Sequence, residues 1–186
     1  MKIIFGQGNP GKEYEGTRHN IGFFFIDILA KKYGGTFIKK PKFHAEIAEI
    51  TIAGEKTILV KPTTFYNDTG SSAQSLIAFY KLSAATDFLV IHDDLALPFG
   101  TIRTRFSGRD AGNNGIKSLN AHIGMQHARI RVGVYTALRD RIADNDFVIG
   151  NFTAEETKLF PSLIVHVLDF VEKFVSGTFE PTKIKL

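Results

Sequence analysis

The chain has 186 residues, 44% of them apolar, enough for one domain with a sizeable core. It contains no cysteine, which excludes disulfides, thiol nucleophiles and thiolate metal sites. A net charge of +4 fits either a solvated basic face or an anionic partner, and charge alone does not decide between them.

Met1–Phe5 reads as a first strand, and a helix is predicted from Thr17 or Arg18 to about Tyr33. Its Ile21, Phe24, Phe25, Ile28 and Leu29 recur at helical spacing, with Thr17 as the candidate cap. His44–Ala53 and Thr57–Lys61 read as a hairpin around Gly54-Glu55. A helix is expected from Asp68 or Thr69 to about Leu82, then a wholly apolar, central strand over Asp87–Ile91. Thr101–Phe106 alternates as a strand with one polar face, Gly115–Ile123 is a short helix, and Arg129–Tyr135 another strand. Thr153-Ala-Glu-Glu156 is a capping box leading a long C-terminal helix, with Pro161 marking a kink or a later start. Strands alternating with helices, plus one hairpin, predict a single-domain α/β sandwich over residues 1–186, its mixed, twisted β-sheet flanked by helices. No stretch approaches the roughly 18 apolar residues of a membrane span. No secretory signal pattern is visible, so a cytoplasmic location is expected.

The first loop, GQGNPGKEYEGTRHNIGF, raises two readings. Gly6, Gly8 and Gly11 match the dinucleotide fingerprint, but the helix does not open at the third glycine, and no acidic ribose ligand follows at the required distance. The alternative places Asn9 in a turn at the strand's C-terminal end, where ligands gather in open α/β sheets. His19 would then lie in the first turn of the helix, where the dipole favours a neutral imidazole able to accept a proton. A carboxylate partner for it is available in LVIHDDLALP, where Asp93 and Asp94 come just after the apolar strand. The other histidines show no metal-ligand spacing, and no G-x-S-x-G elbow supports a serine nucleophile.

PTTFYNDTG and GRDAGNNG place the carboxamides of Asn67, Asn113 and Asn114 at element boundaries. Taken singly they are turn formers. Together with one His and an Asp they suggest water-mediated hydrolysis, with His as base, Asp as orienter and Asn side chains on a carbonyl or oxyanion. From Thr101 to Arg141, Arg103, Arg105, Arg109, Lys117, Arg129, Arg131, Arg139 and Arg141 face only Asp110 and Asp140. That is either a solvated basic face or a surface for phosphates.

GNPGKEYEGTRHNIGF, KPTTFYNDTG, HDDLALPFG, GNNGIKSL and RIRVGV, in this order and spacing, resemble the bacterial-type peptidyl-tRNA hydrolases from Lys2 to the C-terminal helix. The resemblance implies a monomeric, cytoplasmic esterase, without cofactor or metal, that cleaves peptide from the terminal ribose of tRNA. It implies His19 as general base, Asp93 as its carboxylate partner, and Asn9 as the residue that senses the peptide carbonyl. Asn67 and Asn114 are implied to hold substrate, and Tyr14 and Phe65 to line the site for the tRNA 3′ end. Arg103, Arg105, Lys117 and Arg131 fall where the family keeps basic residues for the tRNA backbone and 5′ phosphate. Four departures stand out: Tyr66 where the family commonly has Met, Asn113 where it usually has His, Ala96 at a commonly acidic position, and VYTALRDRIADNDF without the usual Gly/Pro-rich turn. Tyr66 and Asn113 are counted with the residues for substrate and the tRNA 3′ end, where Tyr66 is expected to alter the pocket wall and the departures to bear on substrate preference and rate. An RNA-binding module that keeps the fold but not the activity shares the basic surface. An intact His19–Asp93 contact would favour the enzyme.

Overall fold

Ile3, Ile4 and Phe5 are fully buried, because the strand that carries them, β1 (Lys2–Gly6), has a strand on either side and helices over both faces. The structure is a computed structural model that describes residues 1–186. After β1 come α1 (Ile21–Tyr33), β2 (Ile38–Lys40), β3 (Ala45–Ile52), β4 (Glu55–Pro62), α2 (Thr69–Tyr80), α3 (Ala84–Asp87) and β5 (Phe88–Pro98). Then follow β6 (Thr101–Ser107), α4 (Asn114–Ile123), β7 (Gln126–Tyr135), α5 (Asp144–Ile149), α6 (Ala154–Thr157), α7 (Phe160–Ser176) and β8 (Lys183–Lys185).

All eight strands form one sheet in the order β2-β3-β4-β1-β5-β7-β6-β8. The four central strands, β4, β1, β5 and β7, are parallel, and the outer pairings are antiparallel. The expected mixed sheet flanked by helices is present. Alternate residues feed opposite cores. Ile4, Leu89 and Ile91 join α1 and α7 on one face, while Ile3, Phe5, Phe88 and Val90 join α2 and α4 on the other.

Several boundaries differ from the sequence expectation, each for a local reason. The helix expected from Thr17 or Arg18 begins at Ile21, after a separate 3-10 turn over Arg18–Asn20. Thr17 does not cap it by side chain, because its hydroxyl donates to the Tyr14 carbonyl at 2.8 Å. The hairpin turn falls at Ala53-Gly54, one residue early, with both residues at positive φ as a tight turn requires. Asp93 and Asp94 do not follow the central strand. They lie within β5, which continues beside β7 through Asp94↔Gly133 although its pairing with β1 stops at Gly6↔Ile91. The capping box is formed but closes only the short α6, and α7 starts afresh with Pro161 in its first turn, where a missing N–H costs nothing.

Candidate active site

The end of β1 beside β5 is the point from which the site is built. Since β1 stops at Gly6 and β5 does not, the flank of β5 beyond Ile91 is open to the loops that follow β1 and β4. Alternation along β5 turns Asp93 toward the α1 face, in line with Leu89 and Ile91. The Arg18–Asn20 turn leading into α1 is pressed onto the same place. A Cβ on Gly22 would lie 2.4 Å from the Gln7 carbonyl oxygen and 2.5 Å from that of Ile91, so only glycine allows this crossing.

That packing brings His19 Nδ1 to 2.9 Å from Asp93 Oδ2. Asp93 is buried, while the His19 side chain keeps 18% of its exposure. A carboxylate at this distance accepts the Nδ1 proton and leaves Nε2 as the basic nitrogen. Burial pushes the Asp93 carboxyl up. The His19 charge and the hydrogen bonds from His19 and Tyr66 outweigh it and hold the group below its ordinary 3.8. Asp93 therefore remains an anion ready to stabilise an imidazolium beside it. Both residues line a crevice of about 280 Å³, together with Asn113 and Asn114.

Asn9 is placed by a reciprocal pair with Asn20. Its backbone N–H donates to Asn20 Oδ1 at 2.8 Å, and Asn20 Nδ2 donates to its carbonyl at 2.9 Å. Asn9 Oδ1 accepts from the Tyr66 backbone N–H at 2.7 Å, which directs the amide so that Nδ2 is the donor left for a ligand. Asn9 also borders a second, larger cleft of about 1310 Å³ on the α1 side. Asn9 does not line the crevice of the base and is joined to it through Tyr66, whose backbone it holds and whose ring stacks on His19.

A family model described as peptidyl-tRNA hydrolase matches residues 3–185. The peptidyl-tRNA hydrolase of Fusobacterium nucleatum is 43% identical over 176 residues, covering 95% of this chain and 90% of that one. The Rickettsia bellii peptidyl-tRNA hydrolase is 40% identical over the full length of both chains. The crystal structure of the Acinetobacter baumannii peptidyl-tRNA hydrolase superposes with a TM-score of 0.87 at 35% identity, covering 95% of this chain and 89% of that one. This chain belongs to the peptidyl-tRNA hydrolase family.

Within this peptidyl-tRNA hydrolase fold the remaining predicted residues divide by position. Tyr14 and Phe65 meet edge to face with ring centroids 6.5 Å apart, and Phe65 is 60% exposed. Asn67 is exposed on the turn beside Tyr66, and Asn114 is exposed at the first position of α4 on the rim of the crevice. Asn113 lines the crevice, whereas Tyr66 lies behind it. The Tyr66 ring is buried and stacks on His19 at 3.4 Å, its hydroxyl donates to Asp93 Oδ1 at 2.5 Å, and Asn113 Nδ2 donates to that hydroxyl at 3.0 Å.

The basic residues of β6 and β7 form a cross-strand ladder, Arg103↔Arg131 and Arg105↔Arg129, on the face that carries α4 and the exposed Lys117. Arg129 is buried, and its two terminal nitrogens donate to Gly108, Arg109 and Asn120, which holds it inside the fold. Arg131 Nε donates to Asp94 Oδ2 at 2.5 Å, which ties the ladder to the residue after Asp93. Sequence reasoning assigned no role to Asn20 or Arg18. Both stood beside His19 in the Arg-His-Asn triplet, but their partners, Asn9 and Glu156, lie 11 and 138 residues away.

Proposed function

We propose that this family member cleaves the ester between a peptide, or an N-blocked aminoacyl group, and the 3′-terminal ribose of tRNA. The observation that carries the reading is the His19–Asp93 pair, with the basic Nε2 left for a water in the crevice. His19 takes a proton from that water as it attacks the ester carbonyl, and Asp93 stabilises the imidazolium that forms. The same imidazolium returns the proton to the departing ribose oxygen. Asn9 Nδ2 holds the peptide carbonyl, which is the same in every peptide, so side chains need not be read. An ester is activated enough that a base and preorganised donors suffice without a covalent nucleophile.

Tyr14, Phe65, Asn67 and Asn114 flank the site as contacts for the 3′ end, and Arg103, Arg105, Lys117 and Arg131 serve the phosphate backbone. We read residues 1–186 as one such domain, working as a cytoplasmic monomer. The intact His19–Asp93 contact favours this over an RNA-binding module of the same fold.

The test is release of tRNA from N-blocked aminoacyl-tRNA, with the unblocked form as control. Cleavage of the blocked substrate alone is expected. His19→Ala should lower turnover by about 10²–10⁴-fold while tRNA still binds. Near-normal turnover in that variant rejects His19 as the base.

A further inference from the structure

Asp93 has two oxygens, and the catalytic pair uses only Oδ2. Oδ1 accepts from the hydroxyl of Tyr66, a residue 97% buried. The same tyrosine stacks its ring on the His19 imidazole, centroids 3.4 Å apart and planes inclined by 13°. One residue therefore touches both members of the pair.

The direction of the Tyr66 hydroxyl is set from a third element. Asn113 is the N-cap of α4, and its Oδ1 accepts from the Ile116 backbone N–H at 3.0 Å. A capping amide cannot turn over without losing that bond. Nδ2 must then point away from the helix, and it donates to Tyr66 Oη at 3.0 Å and to the Asp93 carbonyl at 3.2 Å. A phenol that already accepts one bond has a single proton left to give, and here it goes to Asp93. Burial, followed by the Asp93 charge and hydrogen bond, raises the Tyr66 phenol well above its usual 10, so it keeps that proton at any working pH.

We propose that Tyr66 is a positioning residue. Its hydroxyl, aimed by the capping amide of Asn113, pins the second oxygen of Asp93, and its ring backs His19, so the base is offered in one tautomer and one orientation. This rests on the hydrolase reading above and adds to it a residue pair, Tyr66 with Asn113, that aims the carboxylate from two separate loops.

Removing the phenolic donor leaves Asp93 a stronger acceptor for the His19 proton, so protonated His19 is held more tightly. In Tyr66→Phe, which keeps the stack, the acid limb of the kcat/KM profile should move up by roughly 0.5–1 pH unit. At neutral pH kcat should fall about three- to tenfold with KM unchanged, because the hydroxyl faces Asp93 and not the crevice. Tyr66→Met should show the same displacement with a larger drop in kcat, since the stack goes too. Asn113→Ser keeps a capping oxygen but removes the donor to Tyr66. It should shift the limb in the same direction, and add nothing when combined with Tyr66→Phe.

A second measurement does not depend on turnover. The bond predicts a slowly exchanging, downfield hydroxyl proton correlated with the Tyr66 ring by NMR, absent in Tyr66→Phe and displaced in Asp93→Asn. An active wild type with an unmoved acid limb in Tyr66→Phe overturns the positioning role, as does absence of the hydroxyl proton. Failure of the wild type to release tRNA rejects the hydrolase reading instead, and the proton then decides the clamp alone.

Discussion

His19 and His92 lie on either side of Asp93 and face opposite electrostatic surroundings. His19 sits at the rim, with one ring nitrogen on the carboxylate and the other toward the crevice. His92 is buried, its Nδ1 donates to the Asp93 carbonyl at 2.7 Å, and its Nε2 has no partner. Burial brings it down to about 4, against the opposing charges of Asp94 and Asp93. His127, also buried, is lowered to about 3, by burial first and then by the Arg129 charge. Both are neutral in the fold and protonate near 6.5 in the unfolded chain, which therefore binds more protons as the pH falls below 6.5. Stability should be lost from pH 6.5 down to about 4 for His92 and about 3 for His127. The slope should be on the order of 1.4 kcal/mol per pH unit for each histidine. Asp93 adds a loss of the same sign only below its ordinary 3.8, outside the upper part of this window. Denaturant unfolding between pH 7 and 5 measures the slope, and His127→Gln should reduce it by about half. An unchanged slope in that variant would locate the acid sensitivity elsewhere.

The Arg18–Asn20 turn shows what an element contributes beyond its own hydrogen bonds. Arg18 is 3% exposed, and its Nη2 lies 3.0 and 2.7 Å from the two Glu156 oxygens. Its Nη1 donates to the Gly150 carbonyl at 3.2 Å, and its guanidinium lies over the rings of Phe147 and Phe152. Glu156 also accepts from the Thr153 backbone N–H at 2.6 Å, so one carboxylate closes the α6 capping box and neutralises the turn that carries His19. Thr153-x-x-Glu156 was legible as a capping box, because that signal is four residues long. Its second task was not, since Arg18 is brought there only by the fold. The same limit applies to Tyr66 and Asn113, 47 residues apart: each stood out in its own loop, but their contact with one another is made only by the fold. Arg18→Met should cost about 3–5 kcal/mol in unfolding experiments, because a buried carboxylate is left unpaired. Arg18→Met combined with Glu156→Met should recover much of that stability. Additive effects would mean that the two side chains act independently.

At the scale of the whole chain, the central strands were readable because they are uninterrupted apolar runs such as Phe88–Ile91, and the amphipathic helices because their spacing persists over several turns. The edge strands β2 and β8 were not. Ile38-Lys39-Lys40 and Lys183-Ile184-Lys185 are three residues each, mostly exposed, and strands only by pairing with β3 and β6. The basic stretch was readable as charge but not as geometry. The register shows that Arg103 and Arg105 share one face with Arg129 and Arg131, and hydrogen bonding removes Arg129 from the surface set. If that face receives the tRNA backbone, each phosphate left without its cation should reduce the slope of log affinity against log salt by about 0.7–0.9. Arg105→Ala with Lys117→Ala should lower it by nearly two such steps and raise KM for N-blocked aminoacyl-tRNA. Turnover of a short N-blocked aminoacyl ester lacking the tRNA body should be unchanged, since neither side chain is near His19 or Asp93 in the crevice. An unaltered salt slope would place the tRNA on another face, while a fall in turnover on the short ester would show that the two substitutions had disturbed the site itself.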